Sequence, residues 1–328
     1  MSIFVPNLEK DYAKLASSVK GRNAVVTGAA NGLGRGLVAE LLESGASVVA
    51  ADIDMKALST LPKHPNLFIH HVDVAQYQSQ LQLFKYTRTV LGRIDAVYAN
   101  AGVANSPQYL SDQNEEPDLK IIDVNVKGVL YTTHLAVKAF REDRAKNLSR
   151  DPCIVLTGSF TSFLSTPSHP APYAASKHAV WSLMRSLSTT GEIEGFRCNA
   201  VCPWFSPTAM VEPSVRLLLT GIGMADVEPV VRAFVIAGFD SSLSGAGFIV
   251  DNQGLFIIPS TMIDSQCAIA FRERFVSVLK LQHAMRTYRT PLRITSGLLT
   301  VAGVVSTVAY ALPFLSKMKL FKVMSGNK

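Results

Sequence analysis

Seven short apolar segments alternate with helical patterns through most of this 328-residue chain. The segments are Ala24–Thr27, Val48–Asp52, Leu67–Val72, Ala96–Asn100, Cys153–Thr157, Arg197–Val201 and Gly247–Val250. Short strands separated by helices are typical of a parallel sheet that carries helices on both faces. The chain is long enough for one large domain of this kind and an additional segment. The sequence therefore predicts an α/β fold with a doubly wound, seven-stranded parallel sheet.

A glycine-rich turn follows the first of these segments. It runs from Thr27 to Gly34 with the sequence TGAANGLG, and a helical pattern follows it and ends at Gly45. Glycines between a strand and a helix let a pyrophosphate approach bare backbone N–H groups at the helix N-terminus. The TGxxxGxG spacing differs from the commoner GxGxxG, so a glycine-rich surface turn is the alternative interpretation.

Asp52 ends the second apolar segment, 18 residues after Gly34. An acidic residue at about this distance binds the ribose hydroxyls of an adenosine. Its charge repels a 2′-phosphate, and no Lys or Arg occurs between it and Lys56. These residues predict NAD in preference to NADP. The alternative is that Asp52 only begins a turn at the end of a strand.

Tyr173 and Lys177 are four residues apart, and Ser159 precedes them. Positions i and i+4 of a helix share a face, so the ammonium group can lie near the phenol and favour its charged form. We expect the pKa of Tyr173 to fall below its usual value of about 10, which suits proton transfer near neutral pH. An exposed helix face with the same spacing is the alternative.

In this order, the motifs resemble those of the short-chain dehydrogenase/reductase family, and the resemblance covers about residues 20 to 259. Further matching landmarks are Asp73-Val74, Asn100-Ala101-Gly102, Asn125, the strand that leads to Ser159, Pro203 to Thr208, and Ser244 to Gly254. The resemblance implies a Rossmann-type fold. It also implies an oxidoreductase that transfers a hydride between a nicotinamide cofactor and an alcohol or ketone.

The resemblance assigns catalytic roles to four residues. Tyr173 exchanges a proton with the substrate oxygen, Ser159 hydrogen-bonds the same oxygen, and Lys177 lowers the Tyr173 pKa and holds the nicotinamide ribose. Asn125 positions a water and Lys177 in a proton relay. The implied cofactor-binding residues are Thr27, Gly28, Asn31, Gly32, Leu33, Gly34, Asp52, Asp73, Val74, Asn100, Ala101, Gly102, Tyr173, Lys177, Pro203 and Thr208.

The chain departs from the family pattern in four places. Ser159 is one residue farther from Tyr173 than is usual, with the insertion near 165–170. The usual Ser-Ser pair is Gly158-Ser159, which leaves Thr161 and Ser162 as alternative hydroxyls. Pro203 is followed by Trp204 instead of Gly, and the final Asp-Gly-Gly is replaced by Asp251 to Gly254. None of these departures removes a catalytic group.

The C-terminal part has a different composition. Residues 1–259 have a net charge of −1 and residues 260–328 a net charge of +8. We expect a catalytic domain at 1–259 and a basic, helical extension at 260–328, in which 294–315 contains no charged residue. That length suits a spanning helix, with the enzyme on the cytoplasmic face. A helix on an anionic membrane surface and a helix packed on protein are the alternatives. We expect no nucleic-acid partner, and the Cys and His residues predict no metal site.

The sequence favours a lipophilic substrate. Apolar residues follow Pro203 at the place of the family's substrate loop, and further apolar residues follow Ser159. They are Phe160, Phe163, Leu164, Trp204, Phe205, Met210, Val211, Leu217, Leu218, Leu219, Ile222 and Met224. We predict an NAD-dependent dehydrogenase that oxidises a steroid-, terpenoid- or polyketide-like secondary alcohol, as in secondary metabolism, and that forms a homodimer or homotetramer. The alternatives are an NADP-dependent ketoreductase and a non-catalytic NAD-binding scaffold.

Overall fold

The computed structural model divides into two compact units, Met1–Met262 and Ile263–Lys328. The structure describes residues 3–4, 8–104, 109, 116–163, 171–208, 211, 216–217, 219–261, 273–274, 276–280 and 282–283.

A single sheet forms the centre of the first unit. Its strands are β1 (Ile3–Phe4), β2 (Asn23–Thr27), β3 (Ser47–Asp52), β4 (Leu67–His71), β5 (Ala96–Ala99), β6 (Cys153–Thr157), β7 (Arg197–Pro203), β8 (Ala246–Asp251) and β9 (Gly254–Pro259). In space they follow the order β1-β9-β8-β7-β6-β5-β2-β3-β4. Strands β2 to β8 pair with one another in parallel, which confirms the predicted seven-stranded parallel sheet.

Two antiparallel strands at one edge were not predicted. β9 follows β8 after only Asn252 and Gln253, a connection too short for anything but an antiparallel pair. β1 pairs antiparallel with the outer side of β9 through Ile3 and Phe4. The described sheet therefore has nine strands, with the predicted seven as its parallel part.

Helices cover both faces of the sheet. They are α1 (Leu8–Ser18), α2 (Gly32–Glu43), α3 (Met55–Leu58), α4 (Tyr77–Leu91), α5 (Lys120–Ile122), α6 (Val129–Ala145), α7 (Ala171–Glu194) and α8 (Val227–Phe239). Leu37 of α2 and Phe234 of α8 pack with Val26 on one face. On the other face, Leu83 of α4 and Met184 of α7 pack with Val25. Val25 and Val26, which are neighbours in β2, thus pack on opposite faces of the sheet, as strand geometry requires.

The chain order reverses beside β2. β2 pairs with β3 on one side and with β5 on the other. In open α/β sheets a crevice forms at such a point, outside the carboxyl ends of the strands. The predicted site residues Gly28, Asp52, Asn100 and Ser159 all follow or end strands at this edge.

The described residues of the second unit, 273–274, 276–280 and 282–283, are helical. The Ser277 hydroxyl donates to the Glu273 carbonyl across 2.8 Å. The predicted membrane segment 294–315 lies outside the described residues. Among the residues that are described, the helices are too short or too polar to cross a membrane.

Candidate active site

The glycine-rich turn packs directly against the chain that follows β5. Gly28 has a φ of 68°, and a Cβ at this position would lie 2.6 Å from the Cα of Ala101. A Cβ on Gly34 would lie 2.6 Å from the Asn100 side-chain amide and would overlap the Gly28 carbonyl. Both positions therefore require glycine, since any side chain would force these two segments apart.

Asn100 connects the carboxyl ends of three neighbouring strands. Its Nδ2 donates to the carbonyls of Thr27 and Gly28, at 3.1 and 3.0 Å. Its Oδ1 accepts from the Thr157 hydroxyl at 3.2 Å. Thr27 Oγ1 in turn accepts from the backbone N–H groups of Asn100 and Ala101. Asn100 and Thr27 thus fix the shape of the turn.

The start of α2 is open to a ligand. Asn31 is the N-cap residue, and its side chain makes no capping bond within the described part of the chain. Gly32, with a φ of 54°, lies against Thr208, whose Cγ2 would be 3.4 Å from a Cβ there. Bare backbone at the start of a 12-residue helix fits the pyrophosphate of a dinucleotide.

Two carboxylates lie near the carboxyl ends of the neighbouring strands β3 and β4. Asp52 Oδ2 accepts from the Ala30 N–H and Oδ1 from the Asp54 N–H, both at 3.0 Å. Asp73 Oδ1 accepts from the Ala75 N–H at 2.9 Å, while buried Val74 packs against Gly128. Each carboxylate is thus held by backbone donors at the end of its strand and keeps acceptor capacity on its outer side.

Asn125 lies in a π-helical turn, Asp123–Gly128, between α5 and α6. The buried side chain accepts from the Val103 N–H at 2.8 Å and donates to the Val103 carbonyl at 2.9 Å. It also donates to the Ser176 hydroxyl at 3.1 Å, and Ser176 donates to the Tyr173 carbonyl at 2.7 Å. Asn125 therefore joins the chain after β5 to α7. π-turns inside helices are frequent at functional sites.

Ser159 caps a short 3₁₀ turn, Phe160–Ser162, directly after β6. Its hydroxyl accepts from the Thr161 N–H at 3.3 Å and hydrogen-bonds to the Tyr173 phenol. Ser159 and Tyr173 are therefore in direct contact, although the predicted insertion near 165–170 lies outside the described residues.

Tyr173 and Lys177 share one face of α7, and both side chains are buried, with 8% and 5% of their surface exposed. The Lys177 Nζ lies 5.6 Å from the centre of the Tyr173 ring and donates to the Thr157 carbonyl at 2.9 Å. A Cβ on Gly102 would lie 3.6 Å from this Nζ and 3.3 Å from Asn125 Oδ1. The structure thus brings the four predicted catalytic residues together, and burial excludes an exposed helix face.

The expected direction of the Tyr173 pKa is wrong. Burial raises the pKa of Tyr173, and the hydrogen bond from Ser159 lowers it only in part. The Lys177 ammonium is bonded to the Thr157 carbonyl, and the effect of burial on the Tyr173 pKa prevails. Burial lowers the pKa of Lys177 to about 8, while the charge interaction with Cys202 raises it in part.

The chain after Pro203 forms an aromatic group next to Ser159. The ring centre of Phe160 lies 4.3 Å from that of Trp204 and 5.1 Å from that of Phe205. The Trp204 indole N–H donates to the Gly223 carbonyl at 3.2 Å. Trp204 therefore has a fixed orientation. Leu164, Met210 and Leu218, which were also predicted near the substrate, lie outside the described residues.

Ser176 and Thr157 were not singled out as site residues from the sequence, although they contact Asn125 and Lys177. Ser162, which the sequence offered as an alternative hydroxyl to Ser159, contacts the Ser159 N–H and the Lys177 carbonyl. Ser176 lies inside the Tyr173–Lys177 motif, where its i+3 spacing from Tyr173 was a usable signal. Thr157 contributes a backbone carbonyl to Lys177, and backbone contacts leave no trace in side-chain identity.

A family model described as short chain dehydrogenase matches residues 22–216. The chain belongs to the short-chain dehydrogenase family. This membership confirms the resemblance and the class of enzyme, an oxidoreductase of alcohols and ketones whose fold binds NAD or NADP.

Curated relatives cover most of the chain. Short-chain dehydrogenase/reductase ascJ of Acremonium egyptiacum is 33% identical over 70% of this chain and 78% of its own. The 3beta-hydroxysteroid dehydrogenase 2 of Eggerthella lenta is 28% identical, covering 74% and 92%. The 5'-hydroxyaverantin dehydrogenase of Dothistroma septosporum is also 28% identical, covering 76% and 90%.

Solved structures agree on the fold. A 3-ketoacyl-(acyl-carrier-protein) reductase from Brucella melitensis, complexed with NADH, superimposes with a TM-score of 0.65 at 22% identity. The match covers 71% of this chain and 98% of that one. This likeness confirms the Rossmann-type architecture of the short-chain dehydrogenase.

Proposed function

We propose that this short-chain dehydrogenase transfers a hydride between NAD and a lipophilic secondary alcohol or ketone, with oxidation as its main direction. One observation carries the proposal. The Ser159 hydroxyl hydrogen-bonds to the buried Tyr173 phenol, and the Lys177 ammonium lies 5.6 Å from the centre of its ring. Such a group can hold a substrate oxygen and move its proton.

The proposed mechanism gives each residue one task. In oxidation, the Tyr173 phenolate takes the proton of the substrate hydroxyl while Ser159 holds the same oxygen. Below a pH of about 8, Lys177 holds positive charge near the Tyr173 ring, and Asn125 fixes the chain around Val103. The bound nicotinamide supplies the two-electron acceptor. Because burial raises the pKa of Tyr173, we expect oxidation to speed up as pH rises and carbonyl reduction to slow down.

The proposal of NAD rests on Asp52. Its carboxylate is tied to the glycine-rich turn through the Ala30 N–H, at the place where an adenosine ribose is expected. The next residue is Ile53, which offers no positive charge for a 2′-phosphate. An NADP-dependent ketoreductase is the alternative within the same enzyme class.

The proposal of a lipophilic substrate rests on the aromatic group of Phe160, Trp204 and Phe205, which begins one residue after Ser159. The names of the relatives support it, because they refer to a hydroxysteroid, to hydroxyaverantin and, for an enzyme of Lavandula x intermedia, to borneol. A rigid ring skeleton with a secondary hydroxyl is therefore the substrate class that we propose.

The test measures NADH and NADPH formation by the full-length protein on borneol, a 3β-hydroxysteroid and hydroxyaverantin. We expect turnover with NAD, and a loss of at least about 100-fold in Tyr173→Phe with NADH binding retained. Tyr98→Phe is a matched control, since the Tyr98 hydroxyl is buried and has no partner within the described part of the chain. NADH binding without turnover on the whole panel would favour the non-catalytic scaffold, and faster NADPH formation the ketoreductase.

We also propose a homodimer or homotetramer. Of the apolar run on α6, Val129, Leu135, Ala136 and Ala139 are buried in this chain's own core, while Leu130 is 45% exposed. Leu130 lines a groove between α6 and α7 together with Val126 and Leu183. Light scattering should give a molar mass that is a multiple of the 35.5 kDa chain mass, and a lower molar mass for Leu130→Glu. A wild-type monomer would overturn this proposal.

The proposal includes the domain assignment, with catalysis in 1–259 and a basic extension in 260–328. Basic residues flank the uncharged segment 294–315 on both sides, and this pattern supports membrane contact by the extension. They are Arg286, Arg289, Arg293, Lys317, Lys319 and Lys322. Flotation of the full-length protein with anionic phospholipid vesicles tests it. Val304→Asp, near the centre of the apolar segment, should reduce flotation, and equal flotation of the two proteins would contradict the proposal.

A further inference from the structure

The 3₁₀ turn after β6 carries two neighbouring hydroxyls that differ in their contacts. Thr161 and Ser162 are both buried, with 0% and 2% of their surface exposed. Thr161 Oγ1 has no hydrogen-bond partner among the described residues. Ser162 Oγ accepts from the Ser159 N–H at 3.2 Å and donates to the Lys177 carbonyl at 2.9 Å.

The two bonds of Ser162 join different elements. Ser159 follows strand β6, whereas Lys177 lies on helix α7, 18 residues farther along the chain. With the Ser159 hydroxyl bonded to the Thr161 N–H, the Ser162 bond to the Ser159 N–H completes a reciprocal capping arrangement. The bond to the Lys177 carbonyl then fixes this turn against the helix that carries Tyr173.

The space that Ser162 occupies depends on Gly158. A Cβ on Gly158 would lie 3.1 Å from Ser162 Oγ and 2.6 Å from Cys202 Sγ. The usual first Ser of the family's Ser-Ser pair is thus replaced by a glycine, and the polar group in this space is the Ser162 hydroxyl.

We propose that Ser162 is a positioning residue that holds the Ser159 hydroxyl in register with Tyr173 and Lys177. The inference rests on the proposed function, because it assumes that these residues act on the substrate oxygen. A shift of a fraction of an ångström at Ser159 is enough to lower the rate, since catalysis depends on alignment.

The test compares Ser162→Ala with Thr161→Val, two buried hydroxyls removed from the same turn. We expect Thr161→Val to match wild type. Ser162→Ala should lower the Tm by about 3 °C or more, since it removes two buried hydrogen bonds. It should also lower kcat about tenfold on the panel alcohol that wild type oxidises fastest, with the Kd for NADH unchanged.

The pH profile separates positioning from a general loss of stability. The hydrogen bond from Ser159 lowers the pKa of Tyr173, so displacing Ser159 should raise that pKa. In Ser162→Ala, the increase of kcat for oxidation with pH should therefore occur at a higher pH than in wild type. Ser162→Cys keeps the side-chain volume and weakens the bonds, so it should show the same shift if Ser162→Ala does not fold.

Equal Tm values for Ser162→Ala and Thr161→Val would overturn the inference without any assay of turnover. A lower Tm with wild-type kcat and pH profile would also overturn it, leaving Ser162 a structural residue. If Tyr173→Phe retained wild-type turnover, the proposed function would fail instead, and the two failures are therefore distinguishable.

Discussion

Gly158, which follows strand β6 and precedes Ser159, lies against Cys202 of the neighbouring strand β7. The Cys202 Sγ would lie 2.6 Å from a Cβ on Gly158, well inside contact distance. Burial raises the pKa of the Cys202 thiol to about 12, while the nearby Ser162 hydroxyl and Lys177 ammonium lower it in part. Cys202 is therefore a neutral packing residue in contact with the candidate active site.

This contact predicts that Gly158 and Cys202 are energetically coupled. Gly158→Ala should lower the free energy of unfolding by about 1–3 kcal/mol, because the added methyl overpacks the site. Cys202→Ala should cost about 1 kcal/mol through a small cavity. In the double variant the new methyl enters the space that the sulfur leaves, so the loss should be smaller than the sum. Urea unfolding of the four proteins measures the coupling, and additive losses would show that the two residues do not share this space.

A second prediction concerns cofactor choice at Asp52. Asp52→Asn removes the charge that repels a 2′-phosphate but keeps an acceptor for the Ala30 N–H. The ratio of kcat/KM for NADP to that for NAD should rise about tenfold or more. Asp54→Asn is the matched control, because Asp54 is also acidic and lies two residues away, but it is exposed and caps the helix α3. An equal change in both variants, or none in Asp52→Asn, would show that Asp52 does not face the ribose.

A third prediction separates the local role of Asn125 from its effect on stability. Asn125→Asp places an oxygen against the Val103 carbonyl and should cost about 1–3 kcal/mol of stability. Asn199→Asp should cost about as much, since the buried Asn199 amide donates to the carbonyls of Ala237 and Leu243 and accepts from the Ala246 N–H. Only Asn125→Asp should lower kcat, by about tenfold or more, because Asn199 lies away from the site. Denaturant titrations measure the stability of both variants, and kcat is measured at a temperature where both are folded. Equal losses of kcat in Asn125→Asp and Asn199→Asp would contradict the prediction.

The parallel part of the fold was predictable because strand and helix periods alternate over most of the chain. The edge strands were harder to predict. β1 contains only Ile3 and Phe4, too few residues for any periodic signal. β9 is apolar at Leu255, Phe256, Ile257 and Ile258, but its pairing depends on the turn after Asp251, whose first residues differ from the family pattern.

Strand order and motif order together place the catalytic candidates at one edge of the sheet, so their proximity was predictable. They are Asn125, Ser159, Tyr173 and Lys177. The pKa shifts of Tyr173 and Lys177 were not predictable. The Tyr173–Lys177 spacing indicated attraction, but the dominant effect on both groups is burial, which depends on the packing of α7 against the sheet. The Ser162 and Cys202 contacts also depend on atoms that only the folded chain brings together.

The last prediction follows from the burial of Lys177. Its pKa is about 8 in the folded chain, against 10.5 for an ordinary lysine. Below pH 8 both states hold the proton, and the folded state carries the full cost of burying the charge. As pH rises from 8 to 10.5, the folded state releases the proton while the unfolded state keeps it. Folding therefore gains stability across this window, on the order of 3 kcal/mol.

Lys177→Met should lose this rise, because it removes the titrating group and keeps most of the volume. Lys146→Met, at an exposed lysine, should keep it. The free energy of unfolding is measured in urea at several values between pH 7 and 10.5. Subtracting the Lys177→Met curve from that of wild type cancels groups that titrate in both proteins, such as Tyr173. A difference that stays flat or falls with pH would mean that the Lys177 ammonium is held more favourably than its burial implies, with the bond to the Thr157 carbonyl fully offsetting the desolvation.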